Sequence, residues 1–264
     1  MTYCLGLRLN SGLVLASDSR TSASVDDISV YSKLHIFKTR PDRVLVLLSA
    51  GNLATTQAVR SQIQRDLDSN ETERNLNTLQ HLDEVAAYVG EINRQIQNSV
   101  APEPEQASGF NPEATFLLGG QIGDAAHDMF MIYPQGNFIV ASRQKPFLQI
   151  GETKYGKPIL SRVADGDLSL DLGARLALVS MDAAMRSNLS VGPPVEVAVC
   201  PAGAHRVTRR LKLEERDPYL TLLAEQWNDQ LRQAFLGLPD PQGWTTPQED
   251  PARVSTESAD LPGS

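Results

Sequence analysis

The apolar residues of this chain recur with two different periods, and the periods come in blocks. Tyr3, Leu5, Leu7 and Leu9 alternate with Cys4, Gly6, Arg8 and Asn10, which is the two-residue period of a strand. Ser11-Gly12 supplies a turn, and residues 13–17 read as the second arm of a hairpin. Residues 33–39 and 43–49 repeat the pattern around Arg40-Pro41-Asp42, so the chain is predicted to open as a meander of four short strands.

Helical spacing follows. Asn52 is placed to cap a segment carrying Val59, Ile63 and Leu67, and Leu82, Val85, Val89, Ile92 and Ile96 form a cleaner stripe on a helix of about fifteen residues. A polar loop with three prolines lies between Asn98 and Pro112. Strands return over residues 115–118, 129–133, 138–141 and 147–150, separated by Gly-Gly, Pro-Gln-Gly and Lys-Pro signals. Two more helices fit residues 153–163 and 170–187, and a strand pair fits residues 194–200 and 206–213. Asp217 is placed to cap a final helix containing Tyr219, Leu222, Leu223, Trp227 and Leu231. Each sheet or helix must bury its apolar face against another element. This order is therefore satisfied by two antiparallel sheets with helices on both outer faces, a four-layer αββα sandwich of the α+β class.

With 264 residues the chain can bury a substantial core as a single domain, predicted over residues 1–236. The last 28 residues, 237–264, hold five prolines and five acidic residues against one arginine, and are expected to form a disordered tail. A net charge of −8 argues against a nucleic-acid partner, and the densest basic run, residues 206–212, alternates with apolar residues as a strand would. Cys4 and Cys200 are too few for a disulfide framework and lie in strand-like runs, as buried thiols in a reducing cytoplasm would. His35, His81, His127 and His205 are scattered without ligand spacing, so neither a catalytic metal nor another cofactor is expected. No stretch approaches the roughly 18 apolar residues of a membrane helix, and the N-terminus lacks the pattern of a signal peptide. A cytoplasmic protein is expected.

Thr2 carries the chemistry. Removal of Met1 would leave a free α-amine beside the Thr2 hydroxyl, a nucleophile and a base in one residue. An N-terminal amine has a reference pKa near 8, so a substantial fraction is neutral at physiological pH and able to take the hydroxyl proton. A nearby ammonium would lower the pKa of both groups, and a partly buried ammonium needs a carboxylate. Lys33 and Asp18 supply these residue types, with Asp18 at the end of the second strand. Ser49-Ala50-Gly51-Asn52 ends a strand and starts a helix, so the Gly51 amide is a candidate oxyanion donor with the helix dipole behind it. A glycine there would also let a substrate backbone come close.

Taken singly these residues are ordinary. Together Met1-Thr2-Tyr3-Cys4, Ser17-Asp18-Ser19-Arg20-Thr21, Tyr31-Ser32-Lys33-Leu34 and Ser49-Ala50-Gly51-Asn52 resemble the N-terminal-threonine hydrolases of the proteasome β-subunit superfamily, and within it the bacterial Anbu branch. Residues 150–156 and 181–190 continue the likeness, which covers roughly residues 2–236. The resemblance implies an αββα sandwich, loss of Met1, and attack of the Thr2 hydroxyl on a peptide or amide carbonyl. It implies that Lys33 tunes Thr2, Asp18 holds Lys33, Gly51 gives an oxyanion amide and Ser190 supports the nucleophile. It also implies that Thr21, Tyr31 and Leu53 wall the substrate pocket, and that the chain forms a homo-oligomeric ring or open spiral acting on peptides. Two motifs depart from the superfamily. Ser187-Asn188-Leu189-Ser190-Val191 lacks the aspartate and glycine of an Asp-x-x-Ser-Gly pattern, and Gly151-Glu152-Thr153 replaces a Gly-Ser-Gly turn. A processing amidohydrolase for one modified peptide and an inactive assembly scaffold are the alternatives.

Overall fold

The computed structural model describes residues 1–22, 28–69, 73–100 and 111–243. Its elements, in chain order, are β1 (Tyr3–Leu9), β2 (Gly12–Ser17), β3 (Arg20–Ser22), β4 (Ile28–Val30), β5 (Leu34–Ile36), β6 (Arg43–Gly51), α1 (Leu53–Asp68), α2 (Leu82–Val100), β7 (Ala114–Ile122), β8 (Asp128–Ile132), β9 (Phe138–Val140), β10 (Phe147–Gly151), α3 (Thr153–Val163), α4 (Leu170–Ser187), β11 (Val195–Pro201), β12 (Arg209–Leu213) and α5 (Pro218–Leu236). Residues 1–227 form one compact unit, and the described residues 228–243 belong to a second.

Alternation along the strands builds the layers of the first unit. The β1–β2 hairpin forms as expected, with Leu9 opposite Gly12 and Cys4 opposite Ser17. It sits inside a five-stranded sheet in the order β10-β1-β2-β11-β12, whereas β5 and β6 belong to a second sheet in the order β5-β6-β7-β8-β9. The four predicted strands are thus shared between two sheets, not joined in one meander. The small β3–β4 hairpin between the pairs carries no sequence period that reveals it. Tyr3, Leu5, Leu7 and Leu9 face α3 and α4, packing with Leu160, Leu176 and Met181. Leu45 and Leu47 face α1 and α2, packing with Val59, Ile63, Val85 and Val89. Between the sheets, Cys4, Leu13 and Leu15 of one meet Val44, Val46 and Leu48 of the other. Each such fully buried aliphatic side chain contributes about 1.5–3 kcal/mol, so this middle layer adds to the two cores under the helices. The αββα sandwich follows.

Local expectations met different fates. Asn52 caps α1, its side chain accepting the Thr55 amide at 3.1 Å, and the Asp217 carboxylate accepts the Tyr219 amide at 2.9 Å at the start of α5. The helix over residues 82–96 runs on to Val100, taking in residues assigned to the polar loop; the rest of that loop, residues 101–110, lies outside the described residues. Gly119-Gly120 does not break its strand. It lies within β7, because a Cβ on Gly119 would come 3.0 Å from Leu15 and one on Gly120 would fall 2.3 Å from the Val44 carbonyl. The glycines there let neighbouring layers and strands approach. On α5 the face turned to the core is Leu220, Leu223 and Ala224, while Leu222 is exposed. Both cysteines are free and buried.

Of the expected tail, residues 244–264 lie outside the described residues. From its composition, truncation after Leu236 is predicted to leave thermal stability and oligomeric state nearly unchanged. Size-exclusion chromatography and thermal unfolding of the shortened chain check this; a shift to monomer would make the tail an assembly element.

Candidate active site

Asp18 is the first residue beyond β2, and it keeps pairing with β1. Its amide donates to the Tyr3 carbonyl at 3.1 Å, and its carboxylate accepts the Tyr3 amide at 3.0 Å. The side chain is fully buried. Lys33 reaches it from the segment before β5, placing Nζ 2.7 Å from Asp18 Oδ1 and 2.6 Å from the Arg20 carbonyl. The Gly192 amide completes the set, donating to Asp18 Oδ2 at 3.3 Å. Burial pushes the Asp18 carboxyl upward, while Lys33 and the Tyr3 and Gly192 amides pull it back. The expected pair is therefore a buried ion pair with further donors, and neither partner is replaceable without leaving the other unmatched.

Thr2 is fixed by its neighbours on both sides. Its carbonyl accepts the Glu152 amide at 2.7 Å. A Cβ on Gly151 would fall 1.9 Å from that carbonyl oxygen, and Gly151 has a φ of +81°, so only glycine suits the approach. Tyr3 anchors the next position: its hydroxyl lies 2.7 Å from Ser180 Oγ and accepts from Gln149, and burial pushes its pKa up to about 12. In the encoded chain the first amine belongs to Met1. Burial and then the Lys33 charge push it below its usual value, whereas Asp18 and Glu152 pull it up. Three charged side chains thus converge on the start of the chain.

Two cavities open here. One of about 380 Å³ is lined by Thr2, Lys33, Ser49 and Gly51 together with Thr21, Tyr31 and Leu53. The other, about 480 Å³, is lined by Met1, Thr2, Gly151 and Glu152 and shares Thr21, Gly51 and Leu53. Six of the eight sequence-predicted residues, Thr2, Thr21, Tyr31, Lys33, Gly51 and Leu53, line the first cavity, and Asp18 lies behind Lys33. Ser190 lines neither cavity; its amide donates to Asn188 Oδ1 at 2.9 Å in a local turn. From that loop it is Gly192 that reaches Asp18. The need for glycine at position 51 has a different origin from the one expected. Its φ is +111°, and a Cβ would fall 2.3 Å from the Glu113 carbonyl, so the neighbouring chain imposes it.

Sequence reasoning missed three residues at these cavities. Glu152, noted only as a departure, brings a largely buried carboxylate whose ion-pair partner is Lys154 at 3.5 Å. His35 and Arg60 also line the first cavity. The signal for them was periodic: His35 lies two residues after Lys33, and Leu53 and Arg60 are seven apart on a helix. Among the described residues no group of three or more His, Cys, Asp or Glu side chains is gathered as metal ligands would be, and no helix is long and apolar enough to cross a membrane.

No protein-family model and no curated protein matches the chain. Solved structures do. Anbu, the ancestral β-subunit, from Yersinia bercovieri is 42% identical, with 92% of this chain covering 100% of that one at a TM-score of 0.83. An Anbu (Gly-1) mutant from Hyphomicrobium sp. strain MC1 is 42% identical over 92% and 100% of the two chains, with a TM-score of 0.84. A helical assembly of the Anbu complex from Pseudomonas aeruginosa is 38% identical over 90% and 98%, with a TM-score of 0.83. The layers, the Thr2–Asp18–Lys33 arrangement and this near-complete likeness lead to one statement: the chain belongs to the Anbu family of proteasome-like ancestral β-subunits.

Proposed function

We propose that the chain is an N-terminal-threonine hydrolase of peptide or amide bonds, working after removal of Met1. The observation that carries this reading is the buried Asp18–Lys33 pair set against β1, which Thr2 directly precedes. The neutral Thr2 amine takes the hydroxyl proton, directly or through a water, and Oγ bonds to the substrate carbonyl carbon. The resulting oxyanion is met by the Gly51 amide at the end of β6, with the α1 N-terminus following it. As the C–N bond breaks, the protonated amine returns its proton to the leaving nitrogen, leaving an ester on Thr2. Water then attacks the ester, the amine takes one of its protons, and Thr2 and a free acid are regenerated. Lys33 holds the threonine in its reactive protonation state throughout.

Two further points belong to the proposal. The helical assembly of the Pseudomonas aeruginosa relative supports a homo-oligomer here, as a ring or open spiral. Two unpaired, buried thiols support a reducing, cytoplasmic setting. Glu152 at the second cavity and the absence of Ser190 from the lining of both favour, as a second reading, an amidohydrolase confined to one class of modified peptide.

An electrophilic probe for N-terminal threonine tests the reading. The expected result is a single adduct on Thr2, located by mass spectrometry of the processed chain. A correctly processed chain that takes no label would make it a scaffold. Glu152 supplies a second check. Its negative charge favours the ammonium form of the Met1 amine. Beside the second cavity it is expected to act in the same sense on the Thr2 amine once Met1 is removed, so Glu152→Gln should lower that amine's pKa. The rising limb of kcat/KM against pH is predicted to move to lower pH in the variant. An unmoved limb would separate Glu152 from the amine.

A further inference from the structure

The cavity beside Thr2 has two walls of different origin. On one side Leu53, Thr56, Gln57 and Arg60 form a single face of α1, spaced i, i+3, i+4 and i+7. On the other, Tyr31, Ser32, Lys33 and His35 line it from the segment that enters β5, while Leu34 turns into the core between the sheets. The α1 wall climbs from Leu53, near Thr2, to Arg60, seven residues or about 10 Å further on.

The charge along these walls is one-sided. Lys33 and Arg60 line the cavity together with His35, and among the described residues no carboxylate does. The Lys33 ammonium is engaged by Asp18. Among the described residues neither the Arg60 guanidinium nor the His35 ring has a hydrogen-bond or ion-pair partner. His35 is pushed down to about 4, by burial first and by Arg60 next, so its ring is neutral at pH 7 and offers an N–H. Glu196, a buried acid whose charge acts on His35, is matched by Arg210 at 2.6 Å and by the Ser32 hydroxyl. An adjoining cavity of about 510 Å³ shares Ser32, His35 and Arg60 and adds Arg65 and Arg210, against one acid, Asp68. The chain carries −8 overall, so this cationic pocket runs against the charge of the molecule. Screening beyond roughly 8 Å at physiological salt lets the local charges decide what binds.

We propose that this cavity selects substrates whose acyl side bears an acidic side chain at the residue before the scissile bond, with Arg60 as the counter-charge and His35 as a neutral donor. The proposal rests on the hydrolase reading and names its substrate class. Glutamate fits better than aspartate, because Arg60 stands at the far end of the α1 wall and the longer side chain shortens the gap. Arg60 is exposed at its outer edge, so the preference is moderate.

Fluorogenic peptides that differ only in having Glu, Gln, Leu or Lys before the scissile bond read this directly. The full-length chain is expected to cleave the Glu peptide with a kcat/KM about tenfold or more above that of the isosteric Gln peptide. In Arg60→Met the Glu-to-Gln ratio falls toward one, and Arg60→Glu favours Lys over Glu; thermal unfolding checks that both variants are folded. A second measurement does not depend on turnover. Product peptides ending in Glu or Gln, titrated into Thr2→Ala, are expected to bind with the same preference. Failure of all four peptides together with no probe adduct overturns the hydrolase reading. Equal binding of the two products, or a Glu-to-Gln ratio unchanged by Arg60→Met, overturns the pocket assignment.

Discussion

Thr2→Ala reduces turnover to background, a loss of about 10⁴-fold or more, because no other hydroxyl replaces a deleted nucleophile. The fold survives this change. Thr2 is only half-buried, its structural contact is the carbonyl that accepts the Glu152 amide, and alanine keeps that carbonyl. In the wild-type chain kcat/KM rises with pH through the neutral range. The midpoint lies below the reference amine value of about 8, since a neighbouring ammonium favours the neutral amine. Activity is therefore present above the folded-state pKa and lost as pH falls through it. Steady-state kinetics beside thermal unfolding separates the outcomes: an inactive and folded Thr2→Ala is expected, and an active one would move the nucleophile elsewhere.

Lys33→Ala is expected to lower turnover by at least about two orders of magnitude, the scale seen when a key electrostatic group is removed. Lys33→Arg does not restore it, because a planar fork does not fit the place where one compact ammonium meets both Asp18 and the Arg20 carbonyl. The alanine change also strands a fully buried carboxylate, which costs about 3–5 kcal/mol of stability. An activity loss alone would therefore be ambiguous. The double variant Asp18→Asn with Lys33→Met resolves it, since it removes both charges at once. Chemical unfolding is expected to show most of the stability regained while turnover stays low. Recovery of both together would make the pair a structural element; near-normal turnover in Lys33→Ala would remove Lys33 from the mechanism.

The parts of this molecule set by local periodicity were legible in the sequence, and the parts set by layer contacts were not. The β1–β2 hairpin, the Asn52 cap and the bounds of α3 and α4 follow from spacing and capping chemistry that act within a few residues. Asp18 and Lys33 were legible in the sequence as a carboxylate and an ammonium, and their pairing only through the resemblance, because the 2.7 Å contact depends on folding. Gly119-Gly120 read as a turn because its real cause, the approach of Leu15 and the Val44 carbonyl, belongs to other strands. The split of the first strands between two sheets was hidden for the same reason, since period two fixes which way a side chain faces and not which sheet it joins. Arg60 and His35 stayed out of view because they meet only when α1 lies beside the edge strand β5. Tyr3 reads as one more apolar strand residue until its hydroxyl is seen between Ser180 and Gln149.

The central claim is that the free amine of Thr2 is the base, and a chain with one non-cleavable residue kept before Thr2 tests it most directly. This change leaves the hydroxyl, the Asp18–Lys33 pair and the cavity walls in place, and converts the amine into an amide that does not accept a proton. Intact mass confirms the extra residue, and peptide hydrolysis is then compared with that of the processed chain at equal concentration. The account predicts no turnover by the extended chain, with fold and oligomeric state unchanged. Hydrolysis as fast as that of the processed chain would contradict it.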